Sequence, residues 1–307
     1  MGEGWVGVES RTPSFVARAS VEVYLDIVAS GVLTGLVYGL MALGLSVIFG
    51  VVRVVNFAHG ELTVAAMYMA WVMAGSLGAD PLLTLPVIAA ALFAVGYLLQ
   101  RHLVERFIGR PEHEQFMLLL AVSIIILNGL LLVYGPDARH VQVEYAYDSF
   151  ELGPMLLDTV RVYAAGAAVA LALGLYLFFR FTDLGTAIRA CADNLLGAQV
   201  VGLDVRRLYA LTFGIGCAVV GASGTLMVLM RDATPQLAVQ LTLLAFIVVI
   251  IGGLGSMAGA LVGGVLIGVS EALAGFLLTP SLKSLFSYGL LILVLLLRPE
   301  GLMGKRT

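Results

Sequence analysis

The sequence predicts an all-α, polytopic membrane protein with about eight to nine transmembrane helices, and three observations support this expectation. Apolar residues make up 60% of the 307 and charged residues only 12%, and the mean hydropathy is +1.02, far from the balance of a soluble domain. Several apolar runs reach the roughly 20 residues that a helix needs to cross a hydrocarbon core. The alternating pattern of a membrane β-barrel strand is absent.

Nine apolar segments are separated by polar breaks or by breaks marked with Pro or Gly. They lie at about 24–49, 60–76, 81–99, 116–134, 160–180, 208–230, 241–253, 258–277 and 284–298. The seventh and the ninth are short for a full crossing, and the Gly-rich join at 252–255 predicts a broken or re-entrant element that protein must shield. We therefore expect either nine crossings or eight crossings with one partial element.

Arginine and lysine are distributed unevenly between the two sides. Eleven of the seventeen fall on the side of Arg53, of the segment 183–207 and of the C-terminus. The positive-inside bias predicts that this side is cytoplasmic and that the N-terminus lies outside. We expect an external tail at 1–20, a transmembrane domain at 21–300 and a cytoplasmic tail at 301–307.

Glycines recur at four-residue spacing on the first and eighth apolar segments. The two sets are Gly31, Gly35 and Gly39, and Gly255, Gly259 and Gly263 with Gly264 and Gly268 beside them. This spacing aligns the glycines on one helix face and lets two backbones approach closely. It predicts that both helices are buried in the bundle or at a subunit interface.

The stretch NFAHGE at 56–61 places polar side chains between two apolar runs. Arg53, Asn56, His59 and Glu61 are expected where one span turns into the next, at or just below the membrane surface on the cytoplasmic side. They form either a hydrogen-bonded pin for the turn or a gate that contacts the solute. Glu271, alone in the eighth span, either pairs inside the bundle or meets a solute's ammonium group.

The segment 183–207 reads as a short docking helix. Thr186 is expected to cap it, Gly202 to end it in a left-handed conformation, and Asp204 to cap the next span. Its stripe of small and apolar residues consists of Ala187, Cys191, Ala198 and Val201. Such a helix is shaped to dock in a cleft of another protein, and the alternative is a helix that lies on the bilayer surface.

The sequence contains little that could carry catalysis. There is no phosphate-binding loop, and the four histidines are scattered, so neither a metal site nor a catalytic triad is expected. We expect no cofactor, no nucleic-acid partner and no enzyme activity. If transport is active, its energy must come from a partner or from an ion gradient.

Four motifs in order carry a family resemblance. They are GLVYGLMALGLSVIFGVVRVVNFAHGE, RACADNLLGAQVVGLD, GGLGSMAGALVGG and LILVLLLRPEGLMG. Together they resemble the branched-chain amino acid ABC transporter permeases, specifically the LivH-type subunit, over about residues 27–304. The resemblance implies an ABC importer permease fold in the bacterial inner membrane.

The resemblance also implies partners. These are a homologous LivM-type permease, two cytoplasmic ATPase subunits that bind the ATP, and a periplasmic substrate-binding protein. The family's coupling segment to the ATPases maps onto residues 189–202. Its candidate coupling residues are Arg189, Ala190, Ala192, Asn194, Ala198 and Gly202.

The resemblance leaves the solute open among branched-chain amino acids, urea, short amides and aromatic acids. The competing function is an ion-coupled secondary carrier or channel that acts alone. It would need intramembrane acids as ion sites, and Glu61 and Glu271 are the candidates.

Overall fold

Long apolar helices dominate the computed structural model, which describes residues 13–152, 155–278 and 283–304. The α-helices are α1 (Pro13–Val52), α2 (His59–Leu77), α3 (Pro81–His102), α4 (Glu112–Tyr134), α5 (Thr159–Phe181), α6 (Asp183–Asp193), α7 (Leu195–Val200), α8 (Val205–Met227), α9 (Leu237–Gly252), α10 (Met257–Leu277) and α11 (Lys283–Leu297). Between α4 and α5, β1 (Ser149–Leu152) pairs antiparallel with β2 (Met155–Asp158). The helical membrane architecture is confirmed, with this hairpin as an addition.

Each of the nine predicted apolar segments is a helix, but fewer than expected could cross a membrane unaided. Six helices within the described ranges, α1, α3, α4, α5, α8 and α10, are long and apolar enough by length and composition. Two of the remaining helices are too short to meet this criterion, since α9 and α11 have only 16 and 15 residues. In α2, the polar first turn at His59 and Glu61 lowers the hydropathy.

Glycines bring α1 into direct backbone contact with α10, which places the predicted glycine faces inside the bundle and against each other. A Cβ atom built on Gly35 would lie 2.6 Å from both the Gly264 carbonyl oxygen and the Val265 Cα atom. Gly31 faces the backbone at Gly268 in the same way. Backbones this close gain dispersion contacts that larger residues would prevent, so these glycines hold α1 inside the bundle.

Helices α3, α4 and α5 present apolar side chains outward. Leu83, Ile125, Leu132 and Leu173 are all more than half exposed. In water such a surface would be costly, whereas lipid tails accommodate it. These faces are therefore suited to contact with the bilayer.

The bundle has two distinct ends. One end holds α6, the end of α1 and the start of α8, where Arg206 pairs with Glu105 at 3.2 Å; we call it the α6 end. At the opposite end, the far end, the Arg139 and Ala233 backbones pair at 2.9 Å. Arg206 and Arg139 thus lie at opposite ends, in agreement with the sides assigned to them from the sequence, and the assignment of the α6 end to the cytoplasm stays a prediction.

The Gly-rich join between α9 and α10 is covered by the segment that follows α11. The Leu302 N–H donates to the Ile251 carbonyl at 2.8 Å, and the Met303 N–H donates to the Gly252 carbonyl at 2.9 Å. Gly253 has a positive φ of 105°. The predicted break is therefore present, and protein shields it.

Candidate functional site

The chain reverses after α1 and folds back into the bundle before α2 begins. Arg53 directly follows α1 with a left-handed backbone, φ 57°, and no other non-glycine residue in the described ranges has a positive φ. This conformation costs a non-glycine residue roughly 1–2 kcal/mol. Residues 54–58 then run back without helical structure, while the Arg53 side chain stays exposed at the α6 end.

Asn56 shapes the start of α2 from inside the bundle. Its side chain is fully buried, and its Oδ1 accepts a hydrogen bond from the Ala58 N–H at 3.1 Å. In this Asx turn, the side chain takes the place of a backbone carbonyl and stabilises the bend. Asn56 therefore directs the chain into α2.

His59 fastens the first turn of α2 to the middle of α1. The side chain is fully buried, and its Nε2 lies 3.0 Å from the Met41 carbonyl oxygen. Because a carbonyl can only accept, this contact assigns the ring proton to Nε2. His59 thus acts as a hydrogen-bond donor between two helices.

Glu61 is a buried carboxylate held by hydroxyl groups from two other helices. Ser123 on α4 donates to its Oε1 at 2.7 Å, and Thr242 on α9 donates to its Oε2 at 3.4 Å. Thr242 also accepts the Gly60 N–H at 2.9 Å. Since Glu61 lies in the first turn of α2, the helix dipole favours its negative charge. The carboxylate therefore connects α2, α4 and α9.

The structure places His59 and Glu61 deeper than the sequence indicated. Met41, the partner of His59, lies about eleven residues, or roughly 16 Å along the axis, before the end of α1. His59 and Glu61 are 0% and 2% exposed. Both lie in the bundle interior rather than at its end, because the segment 54–58 re-enters the bundle. The hydropathy of the sequence does not show in which direction such a segment runs.

A mainly apolar cavity of about 220 Å³ lies beside this re-entrant segment. It is lined by Leu45, Phe49, Val55, Phe57, Phe246, Ile250 and Leu254. The Phe57 ring closes one side, with its centroid 4.4 Å from that of Phe116 and 5.1 Å from that of Phe246. The re-entrant segment therefore presents an aromatic surface next to its polar turn.

Glu271 belongs to a second polar cluster, nearer the far end. Its Oε2 accepts a hydrogen bond from the Tyr38 hydroxyl at 3.2 Å, and its Oε1 accepts one from Ser287 at 3.3 Å. Arg231 lies 3.8 Å from Oε2 and donates to the same Tyr38 hydroxyl. Glu271 therefore has polar partners inside the bundle, and its contact with a solute's ammonium group stays a prediction.

The helix pair α6–α7 lies exposed at the α6 end. Thr182, and not Thr186, caps α6 by accepting the Gly185 N–H at 3.0 Å. Asn194 ends α6 and caps α7 through the Gly197 N–H at 2.8 Å. The single helix expected from the sequence is therefore two helices with a break at Asn194.

Two of the four residues expected in the docking stripe face the chain's own bundle, whereas Ala187 is partly buried and Val201 is exposed. Cys191 and Ala198 are each 3% exposed, and burial raises the pKa of the Cys191 thiol. Gly202 ends the segment with φ 83°, and Asp204 caps α8 through the Arg207 N–H at 3.2 Å, both as predicted. Cys191 and Ala198 are buried because helices α1, α5 and α8 pack against this segment, and docking of the segment on a partner stays a prediction.

The outward surface of α6–α7 carries the other candidate coupling residues. Arg189, Ala190, Asn194 and Gly202 are exposed, and Ala192 is partly buried. Three neighbouring apolar residues, Leu196, Val200 and Val201, are 74%, 86% and 75% exposed.

Sequence reasoning missed the partners that complete both polar clusters. Ser123 and Thr242 are single hydroxyl residues within apolar helices, and Arg231 was assigned to the far side without a contact. Intramembrane polar residues contact one another because lipid offers them no other partner. This principle indicates which residues need a partner, but it does not predict which of them form a pair.

These features define a class: a multi-pass helical membrane protein with a re-entrant segment, buried polar clusters and an exposed helix pair at one end. The family model of the branched-chain amino acid transport system permease component matches residues 27–295. The chain belongs to this family.

Individual proteins agree with the family match. The chain is 30% identical to the high-affinity branched-chain amino acid transport permease LivH of Salmonella typhimurium, over 92% of this chain and 96% of that protein. It is 28% identical to the corresponding permease BraD of Pseudomonas aeruginosa, with the same coverage. The solved structure of PsaBC from Streptococcus pneumoniae in complex with Fab matches 91% of this chain and 97% of its own, with a TM-score of 0.51 and 13% identity. That likeness supports the fold.

Proposed function

We propose that this chain is the membrane-spanning permease subunit of an ATP-binding cassette importer in the bacterial inner membrane. In this role it moves branched-chain amino acids, or related small amide or carboxylate solutes, from the periplasm to the cytoplasm. The family match and the names of the relatives support transport of this solute class. The exposed helix pair α6–α7 is the observation that carries the ATP-driven part of the proposal.

Two cytoplasmic ATPase subunits are the partners that this helix pair fits. A surface with Leu196, Val200 and Val201 exposed next to Arg189 combines apolar anchors with charge, as helix-in-groove docking requires. The complete importer also contains a homologous LivM-type permease and a periplasmic binding protein. In this arrangement the α6 end faces the cytoplasm and the far end receives the solute.

The chain itself is expected to lack ATPase activity. Purified alone in detergent it should release no phosphate from ATP, and activity should appear when the two ATPase subunits are added. A phosphate-release assay with and without the partners measures this directly. Sustained hydrolysis by the chain alone would contradict a non-catalytic role.

Charge on the α7 surface should uncouple the importer. In a Leu196→Glu, Val200→Glu double variant, two carboxylates would have to be desolvated in the ATPase groove, at a cost of several kcal/mol. We expect uptake to fall at least tenfold and co-purification of the ATPases to weaken, while membrane insertion stays normal. Ala190→Pro should act similarly, because a proline inside α6 destabilises the helix by about 3 kcal/mol or more.

His113→Glu is the matched control for added charge. His113 is exposed in the first turn of α4, on the α6 end but on a different element. This variant should transport normally. Equal losses in all three variants, or normal uptake in the double variant, would remove α6–α7 from the coupling role.

An ion-coupled carrier is the second candidate, and the burial of Glu61 favours it. A buried carboxylate held by two hydroxyl groups is a candidate site for a coupling cation. The carrier predicts uptake by the chain alone in proteoliposomes with an imposed proton gradient. The importer predicts uptake only with the partner subunits and ATP.

A further inference from the structure

We propose that the cavity beside Arg231 and Glu271 is a binding site for a zwitterionic α-amino acid with a small aliphatic side chain. The inference rests on the proposed transport function and adds a place and a recognition chemistry. The cavity has a volume of about 230 Å³. It is lined by Arg231, Gln240, Leu241, Leu244, Ile247, Glu271, Ser287 and Tyr288.

The two charges in this cavity are close without being joined by a direct hydrogen bond. The Arg231 Nη2 lies 3.8 Å from the Glu271 Oε2, and the Tyr38 hydroxyl bridges the two groups by accepting from Arg231 and donating to Glu271. A guanidinium has five N–H donors in a planar fork, and a carboxylate has about four acceptor positions. Both groups can therefore take up further hydrogen bonds from a ligand.

The complementary ligand carries both charges on neighbouring atoms. Its carboxylate would accept from Arg231, since guanidinium and carboxylate groups match in a bidentate geometry. Its ammonium group would donate to Glu271. A solute with one charge would contact only one of the two paired groups and would add a net charge to the cavity, so the pair favours a zwitterion.

The apolar part of the wall belongs to one helix, while Gln240, Ser287 and Tyr288 add polar groups to the lining. Leu241, Leu244 and Ile247 follow one another at three-residue spacing along α9, so they form one strip facing the cavity. Pockets for drug-sized ligands begin at about 300 Å³, and this cavity is smaller. Its size and its strip fit a short aliphatic side chain.

The cavity also lies where an incoming solute would arrive. Arg231 follows the end of α8 near the far end, and its side chain is 39% exposed, whereas Glu271 deeper along α10 is 16% exposed. The positive group at the mouth would meet the carboxylate first, and the negative group would then receive the ammonium. In the importer, the far end faces the binding protein.

Three probes with two variants test the site in the purified complex with its partner permease and ATPases. The probes are L-leucine, 4-methylpentanoate, which lacks the ammonium group, and L-leucinamide, which lacks the carboxylate. Glu271→Gln should weaken the binding of leucine and leucinamide about tenfold or more and leave that of 4-methylpentanoate unchanged. Arg231→Gln should weaken leucine and 4-methylpentanoate to a similar degree and leave leucinamide unchanged.

Asp232→Asn is the control, because this neighbouring carboxylate pairs with His140 at 2.8 Å rather than with the cavity groups. It should bind all three probes as the native complex does. Equal weakening of every probe by both cavity variants would mean a structural role only, and unchanged leucine binding would overturn the site.

The two proposals fail differently: a native complex that neither binds nor transports leucine overturns the proposed function and the site together. If the native complex takes up leucine and both cavity variants bind leucine as the native complex does, the site alone is overturned.

Discussion

Replacing Gly35 with alanine is expected to remove most of the folded protein from the membrane. The added Cβ would lie 2.6 Å from the Gly264 carbonyl oxygen and the Val265 Cα atom, and both are backbone atoms. No side chain can rotate away to relieve the overlap, so α1 must move off α10 along its length. Overpacking costs about 1–3 kcal/mol even where side chains can adjust. Detergent-solubilised yield and the thermal midpoint of the purified chain would both fall.

Gly174→Ala is the matched control for this change. Gly174 lies within α5, and a Cβ built there meets no atom within 4 Å. Alanine raises helix propensity by roughly 1 kcal/mol over glycine, so yield should be equal or slightly higher. A Gly35→Ala protein as stable as Gly174→Ala would show that α1 and α10 are not held at the spacing seen here.

Glu61→Leu is expected to lower folded stability, whereas Glu61→Gln should preserve most of it. Leucine leaves the hydroxyl groups of Ser123 and Thr242 buried without their acceptor, and each unpaired group costs about 1–3 kcal/mol. Glutamine keeps an acceptor oxygen and similar size. The thermal midpoint of each variant in one detergent gives the comparison.

A double-mutant cycle with Ser123→Ala isolates the hydrogen bond. Once Ser123 is absent, Glu61→Leu should cost less than it does in the native chain, because one unpaired group has already been removed. Glu114→Leu serves as a control, since Glu114 is a partly exposed carboxylate paired with Arg110 outside the Glu61 cluster. Additive losses in the cycle would exclude the Ser123 contact as a source of stability.

The same variants separate the two roles considered for Glu61. If the carboxylate chiefly pins helices, Glu61→Gln should retain uptake in proportion to its folded amount. If it gates or contacts the solute, uptake should fall while the thermal midpoint stays near the native value. Uptake per folded molecule is the deciding quantity.

Sequence alone identified the helices and the close-packed glycine faces well, since both depend on local composition and spacing. The nine apolar segments are all helical, and Gly31, Gly35 and Gly39 are packed against backbone as expected, although the sequence did not name α10 as their partner. Neither feature depends on knowing which distant segments of the chain pack together. Six of the described helices reach the length and hydropathy of a crossing helix, and α9 and α11 are the two segments that the sequence already marked as short.

The polar sites were only partly predictable, because their partners are distant in the chain. Glu61 was recognised as exceptional, but its contacts with Ser123 and Thr242 depend on how three helices pack. Cap choice was also ambiguous: Thr182 and Thr186 are equally plausible by residue type, and tertiary placement selects the first. The burial of Cys191 and Ala198 could not be predicted for the same reason, since the helices that cover them are distant in the chain.

The cover over the α9–α10 join has a consequence for synthesis of the protein. Ile251 and Gly252 end α9, so their carbonyls lack partners within the helix. The N–H groups that satisfy them belong to Leu302 and Met303, about fifty residues later in the chain. At ordinary translation rates this delay is roughly 3–10 s. During that interval the nascent join must keep access to water or to the insertion machinery, so the order of translation makes its burial in the bundle a late event.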